Sequence, residues 1–422
     1  MKTRFQVRTL TEALDLAAIV SPRAATPDGI AGFLFVVSGD QCSIYSREQR
    51  HQIRVTVPIE SAEGDGSFIF PADRVSALKY LDGWIEIESG KDADGDRHWV
   101  RYEAESRDKQ EDLSTVDPRM MQGLDDAYNA ATEGTSFPAA LLREAIATTR
   151  PYLAKVGDSR VEEHFQTLQV FDDSREDWKR GNGYMFAADG IRTCYFYCER
   201  FQGKHLALHG LNLPVLSAFL SKCPGDVTLR LGKSMTFLVN KNGQVLGWAH
   251  NTHTHGKFSY YGHKADGFVL RSDKDLFVKA LRYIRAALDS KRDKVRLEYS
   301  HTNKMLSVLA SEGIAKAASR PIPVEVVEEE NGAGVKGEHE DFAVNLNLNH
   351  LIDLIDPMKG HRVELRVALT PATKDRKEGG ALLRTVDAFI LDEDGKMLIS
   401  KGDAAEGKAA ECQVTRFMPS RE

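Results

Sequence analysis

No stretch of this 422-residue chain approaches the roughly 20 consecutive apolar residues that span a bilayer, so no membrane partner is expected. Cysteine is scarce. Cys42, Cys194, Cys198, Cys223 and Cys412 make an odd set without a Cys-x-x-Cys pair, which argues against a disulfide framework and for buried, reduced thiols. The P-loop pattern and the Gly-x-Ser-x-Gly elbow are absent, no Gly-rich phosphate-binding loop is expected, and no cysteine has a recognisable catalytic context. Basic residues are not in excess: 56 Lys and Arg against 62 Asp and Glu leave a net charge of -6, which excludes a generally basic nucleic-acid coat. That balance still permits cations gathered on one surface. The opening Met1-Lys-Thr-Arg-Phe enters an alternating strand without the apolar core of a signal peptide, so a cytoplasmic location is expected.

What the chain does have is a repeat. Phe68-Ile-Phe-Pro-Ala-Asp-Arg-Val-Ser-Ala-Leu is followed by Gly83-Trp-Ile-Glu-Ile-Glu, a strand, helix, strand pattern. The same pattern returns at His205 to Leu220 with Gly225 to Leu231, and again at Phe342 to Ile355 with His361 to Val367. Each copy is preceded by a strand that runs into an amphipathic helix, at Phe5 to Ala18, Phe137 to Thr149 and Phe268 to Leu288. These openings are spaced by about 130 residues, a normal domain size, so three like domains are expected.

Phe33-Leu-Phe-Val-Val, Cys42-Ser-Ile-Tyr-Ser and Ile53-Arg-Val-Thr-Val-Pro read as an antiparallel meander, and Trp84 to Ser89 with His98 to Ala104 as a hairpin. Glu105 to Thr135 loses strand character and reads as an interdomain linker with a short helix near Asp125 to Ala131. In the second opening Leu141, Leu142, Ala145, Ile146 and Thr149 form the buried stripe, with Arg143 and Arg150 opposite. The third opening has Leu276, Phe277, Ala280, Leu281, Ile284 and Leu288 at spacings of three and four, with Lys279, Arg282 and Arg285 on its other side. Glu328 to Asp341 and Thr370 to Gly380 are charge runs that read as solvated loops.

Two metal candidates arise. Cys194 and Cys198 would project from one face of a strand but lack two further ligands. His250, His253 and His255 could converge on zinc with a carboxylate from elsewhere, which would make a metal-dependent hydrolase or nuclease the alternative function; the plainer reading is a polar hairpin end between Trp248 and Phe258. A third possibility is an assembly protein with the same domains that does not close on DNA.

Three consecutive domains of strand, helix, meander, strand, helix and hairpin resemble the bacterial DNA polymerase III beta subunit, the sliding clamp. Ala187-Ala-Asp-Gly-Ile-Arg-Thr193 is similar to the family's Thr-Asp-Gly-His-Arg-Leu segment, and Val414 to Glu422 to its terminal Met-Pro strand. The resemblance spans the whole chain and implies an α+β fold of three clamp domains, 1–120 with its linker, 121–264 and 265–422. Antiparallel sheets would lie outside, with two helices of each domain lining a ring closed by a head-to-tail homodimer. It implies a non-enzymatic processivity factor without a cofactor. Its partners would be double-stranded DNA, a DNA polymerase, a clamp loader and itself.

The implied location is the nucleoid. Under this resemblance Arg74, Lys79, Arg143, Arg150, Lys155, Lys222, Lys279, Arg282, Arg285 and Lys359 would face DNA from the lining helices, and Arg23 falls near a family DNA-contacting arginine. The family's partner-peptide groove would take Phe165, Gly190, Ile191, Arg192, Thr193, Tyr260, Tyr261, Phe417, Met418, Pro419, Ser420 and Arg421. Thr193 replaces the family's Leu, Ser259-Tyr-Tyr-Gly its Pro-containing segment, and Ser420 and Glu422 its final apolar residues. These departures imply a divergent clamp, with a virus or mobile element as a source and the host cytoplasm as its location.

Overall fold

The computed structural model describes residues 1–20, 31–95, 97–106, 108–115, 117–121, 124–159, 161, 163–171, 183–189, 192–201, 206–249, 268–288, 293–310, 317–326, 341–356, 361–367, 386–391 and 412–417. The chain begins β1 (Lys2–Gln6), α1 (Val7–Ala17), β2 (Gly32–Ser38), β3 (Gln41–Arg47), β4 (His51–Pro58), β5 (Ser61–Glu63) and β6 (Gly66–Pro71). It continues α2 (Val75–Leu78), β7 (Trp84–Lys91), β8 (His98–Ala104), β9 (Lys109–Thr115) and α3 (Leu124–Asn129). The order then recurs: β10 (Thr132–Pro138), α4 (Ala139–Thr149), β11 (Thr167–Phe171), β12 (Tyr184–Ala188), β13 (Arg192–Tyr197), β14 (Leu206–His209), α5 (Leu213–Ser221), β15 (Asp226–Leu231), β16 (Met235–Asn240) and β17 (Val245–Ala249). It recurs once more as β18 (Phe268–Asp273), α6 (Lys274–Ala287), β19 (Lys294–Ser300), β20 (Met305–Ala310), β21 (Ile322–Val326), β22 (Phe342–Asn347), α7 (Leu348–Ile355), β23 (Arg362–Val367), β24 (Val386–Leu391) and β25 (Cys412–Phe417).

The repeat is physical, not only a pattern of letters. The first strand of each copy pairs antiparallel with the strand after its second helix: Phe5 opposite Ile85, Phe137 opposite Val227, Ser272 opposite Val363. One backbone bond sits at the same place in all three, where the first residue of the leading helix donates to the residue before that strand. These are Val7 N to Gly83 O, Ala139 N to Gly225 O and Lys274 N to His361 O, each 2.9 Å. The bond satisfies one of the donors that a helix start leaves open. Gly83 and Gly225 hold φ of +71° and +78°, a conformation that costs a side chain and leaves glycine the natural occupant.

The expected helical stripes bury as read in α4, with Leu141, Leu142, Ala145, Ile146 and Thr149 all buried. In α6 the stripe is corrected. Phe277, Val278, Ala280, Leu281 and Ile284 are buried, whereas Leu276 is 49% exposed. The helix begins with the Asp273 carboxylate accepting from Leu276 N at 2.9 Å, which places Leu276 in the first turn, outside the buried face. Asn347 caps α7 in the same way, through His350 N.

The segment 105–135 is also corrected. It holds β9, which its polar sequence Lys-Gln-Glu-Asp-Leu-Ser-Thr conceals, because an edge strand need not alternate in hydrophobicity. The expected short helix is present as α3.

Two units divide the described contacts, Met1–Glu144 with Leu211–Thr252, and Ala145–Gly210 with His253–Glu422. The first contains a five-stranded sheet, β5-β1-β7-β8-β9, and an eight-stranded sheet, β10-β15-β16-β17-β4-β3-β2-β6. The second is built on a twelve-stranded sheet, β14-β11-β12-β13-β25-β24-β23-β18-β21-β20-β19-β22. The division follows sheet continuity rather than chain order. Two ladders carry that continuity: β4 with β17, from His51 opposite Trp248 to Arg54 opposite Val245, and β13 with β25, from Arg192 opposite Phe417 to Tyr197 opposite Cys412.

Within the first unit α3 clips the β4·β17 seam from one side. The Tyr128 ring lies between the guanidiniums of Arg54 on β4 and Arg230 on β15, at 4.5 and 4.4 Å from its centroid, and meets Phe237 of β16 edge-on. Asp125 accepts from Arg54 at 2.8 Å and from the Tyr45 hydroxyl at 2.5 Å. Such stacked and charge-assisted contacts strengthen where water is partly excluded.

Burial first, and the neighbouring Asp125 carboxylate second, push the Tyr45 phenol up to about 12. Between about pH 10, the ordinary tyrosine value, and this raised one, the folded chain keeps a proton that the unfolded chain has lost. Stability is therefore expected to be untouched by this group below pH 10 and to fall as pH rises from 10 to 12. Urea unfolding across that window should show the decline in the native chain and a shallower one in Tyr45→Phe.

Candidate functional site

The cations expected to face DNA divide into two sets. Arg74 pairs with Asp73 at 3.3 Å, Lys79 with Asp15 of α1 at 2.7 Å, and Arg282 of α6 with Asp356, which follows α7, at 2.6 Å. These three are partly neutralised. Arg143, Arg150, Lys155, Lys222 and Lys279 are exposed and carry no ion pair among the described residues. Arg285 is half-buried on α6. Arg23 and Lys359 lie outside the described residues.

The expected peptide groove is described only in part, but its two distant pieces meet. β13 and β25 pair so that Arg192 lies opposite Phe417 and Thr193 opposite Arg416, more than 200 positions apart in the chain. Phe417 also lies opposite Val386 of β24. Phe165 is half-buried, its ring 4.2 Å from that of His164. Gly190, Ile191, Tyr260, Tyr261, Met418, Pro419, Ser420 and Arg421 lie outside the described residues. So do His250, His253 and His255; among the described residues no three metal-ligating side chains cluster. Gly332-Ala-Gly-Val-Lys-Gly337 matches the spacing of a dinucleotide loop but lies outside the described residues, and the next described element after it is the strand β22, where a dinucleotide loop opens a helix.

The thiols behave as structural residues. Cys42, Cys194 and Cys198 are buried and form no disulfide, and burial pushes Cys42 up to about 12 and Cys223 to about 11, far from the thiolate a nucleophile needs.

A surface that the sequence reading missed lies on α6 and the strand edge beside it. Leu276 and Tyr283, seven residues apart, are 49% and 56% exposed. With Lys279, Arg320, Ile322 and Pro323 they line a groove of about 730 Å³. Residues 317–323 run along β20, through Ala310 N to Ala317 O at 2.9 Å, Ser319 N to Val308 O at 2.7 Å and Met305 opposite Pro323. Pairing with β18 begins only at Val324, so no described strand covers the other side of 317–323. β9 is a second open edge, paired among the described residues with β8 alone. The signal available in the sequence was Leu276 and Tyr283 at a spacing of seven on the side of α6 that carries Lys279.

Comparison with solved structures accounts for the whole arrangement. The DNA polymerase III subunit beta from Pseudomonas aeruginosa aligns over 100% of both chains with a TM-score of 0.73 at 16% identity. The Caulobacter crescentus pol III beta aligns over 100% of both chains with a TM-score of 0.69 at 16% identity, and the beta subunit from Thermotoga maritima over 100% of this chain and 99% of its own, at 0.67 and 13%. This chain has the sliding-clamp fold. No protein-family model matches it, and no curated protein sequence does. The α+β architecture expected from the resemblance is therefore present, at a sequence distance that marks a divergent member of the fold. In this fold Arg192 and Thr193 are neighbours of the strand Cys412–Phe417 by main-chain pairing.

That register can be checked covalently. Residues directly opposite on antiparallel strands bring their Cβ atoms to about 5 Å, near the span of a disulfide. Under mild oxidation the pair Thr193→Cys with Arg416→Cys is expected to cross-link, as read by peptide mass mapping, and Thr193→Cys with Val414→Cys is not. A cross-link in the second pair alone would mean a two-residue slip.

Proposed function

We propose that this chain is a DNA sliding clamp: a non-enzymatic processivity factor whose copies close head to tail into a ring around duplex DNA and hold a polymerase to it. One observation carries the reading. In each internal joint the last strand of one repeat pairs with the fourth strand of the repeat before it, β17 with β4 and β25 with β13. Applied once more, the rule leaves one last strand, β9, and one fourth strand, β21 with its open approach 317–323, each without such a partner among the described residues. Pairing β9 of one copy with 317–323 of the next continues the ladder. That contact is heterologous, and it closes a ring when the rotation per copy allows.

Three domains per chain, 1–120, 121–264 and 265–422, give six in a dimer, the number implied by the resemblance. The full-length likeness to DNA polymerase III beta subunits supports this count. Two helices per domain would line the hole, and Arg143, Arg150, Lys155 and Lys222 are the cations best placed to meet phosphate, since no carboxylate among the described residues pairs with them. Contacts of that kind are indifferent to base sequence and weaken with salt, as a sliding ring requires. The neighbouring backbones of Arg192, Thr193 and Phe417 would form the floor of the groove that takes a polymerase or clamp-loader peptide. The divergent residues at Thr193, Ser420 and Glu422 support a peptide preference of its own, and with it a virus or mobile element as source.

Light scattering is expected to give the mass of a dimer, and loaded protein to stay on nicked circles while running off linearised DNA. A monomer retained equally on both would sink the proposal. Neutralising Arg143 and Lys222 together should lower the slope of log affinity against log salt by about one per lost phosphate contact, whereas Arg282→Ala, already paired with Asp356, should change it less. Fluorescence anisotropy across a salt series reads both.

A further inference from the structure

The two helices of each repeat carry a matched pair of positions. Eight residues beyond the amide that makes the recurring bond, at Val7, Ala139 or Lys274, the leading helix holds Asp15, Ala147 or Arg282. The second helix is capped at its C-terminus by Lys79, Lys222 or Asp356. In the first repeat these positions tie α1 to the end of α2, Asp15 to Lys79 at 2.7 Å. In the third they tie α6 to the end of α7 with the polarity reversed, Arg282 to Asp356 at 2.6 Å. The second repeat keeps the cation, Lys222, and has Ala147 where the first has a carboxylate; Lys222, Arg143 and Arg150 are exposed and carry no ion pair among the described residues. Asp356 stands where the peptide dipoles of α7 disfavour an anion, so its place answers to Arg282 rather than to its own helix. The other cations of the first repeat's two helices are paired as well, Arg8 with Glu12 at 3.1 Å and Arg74 with Asp73. In the third, Lys279 lies in the groove with Leu276 and Tyr283, and Arg285 is half-buried.

We infer that Asp15 and Asp356 are positioning residues that limit the grip on DNA: by holding Lys79 and Arg282 they leave contact with the phosphodiester backbone to the cations of the second repeat. The inference rests on the clamp reading above. Each cation that engages a phosphate strengthens binding, and each such contact must be released before a ring advances. Carboxylates that occupy cations in two repeats of three keep the contacts few, and the contacts that remain carry no base preference.

The experiment reads the slope of log affinity against log salt, by fluorescence anisotropy of a short labelled duplex. Asp15→Asn and Asp356→Asn are each expected to steepen the slope by about 0.9, the share of one freed cation at a phosphate, and together by about twice that. Ala147→Asp, four residues after Arg143 and three before Arg150 on α4, gives the second repeat a carboxylate and should make the slope shallower by about 0.9 or more. Glu88→Gln is the control. It frees Arg101 of β8 from its partner on β7 with the same change in net charge, away from the helices, and should leave the slope unchanged. All four variants should keep the native mass in light scattering and the native melting temperature, because exposed ion pairs add little stability. Native slopes in Asp15→Asn and Asp356→Asn overturn the inference and leave the pairs as helix ties alone. An equal gain in Glu88→Gln, or a native slope in Ala147→Asp, overturns it too. A native chain that does not bind duplex, or binds it without salt dependence, overturns the clamp reading itself, a result distinguishable from the others.

Discussion

Main-chain hydrogen bonding at strand edges is the constraint on which the rest of this structure depends. Every buried amide and carbonyl needs a partner, and a sheet that stops exposes a row of them. This chain answers by handing each repeat's last strand to the fourth strand of the repeat before it. The β4·β17 and β13·β25 ladders thus join residues that lie far apart in sequence and run two sheets through the joints between repeats. The same economy explains the recurring bond from the first residue of α1, α4 and α6 to the residue before β7, β15 and β23, which ties each leading helix to its own sheet. Among the described strands that this rule governs, β9 and the approach to β21 are left without such a partner because the rule runs out of repeats within one chain.

Electrostatics acts on top of that scaffold rather than within it. At a net charge of -6, any DNA binding by this chain would rest on local unpaired cations and not on overall attraction. The ion pairs of Arg74, Lys79 and Arg282 with nearby carboxylates spend charge on holding helices in place. Arg143, Arg150, Lys155 and Lys222 keep theirs available. One ion pair reaches into the core: Arg271 of β18 faces Glu364 of β23 at 2.9 Å, with Glu364 only 2% exposed, and it is not the whole of the chain's pairing. Taking either partner away would strand a buried charge, so the pair fixes that strand register more than it adds stability.

Much of the architecture was legible because periodicity is local. The amphipathic helix α1, the stripe of α4, the meander β2 to β4, the hairpin of β7 and β8 and the threefold recurrence follow from residue spacing alone, since burial of one face demands it. β9 was not legible, because an edge strand with solvent on one side has no need to alternate. Leu276 was misassigned for a related reason: its spacing from Ala280 fits the buried stripe, but the cap at Asp273 places it in the first turn, outside the face that packs. α3 was legible as a helix but not as a clip, since the stacking of Tyr128 between Arg54 and Arg230 joins residues from three separate segments.

By itself, then, the sequence determined the repeat, the type and order of most elements and the resemblance that named a fold. Each of these is written in neighbours along the chain or in spacings of two, three and four. Tertiary structure alone decided which strands meet across repeats, which cations are already paired, and that Leu276, Tyr283, Lys279 and Arg320 share one open groove. Pairing across 200 residues depends on main-chain groups that every residue carries alike, and local order along the chain does not encode which of them find one another.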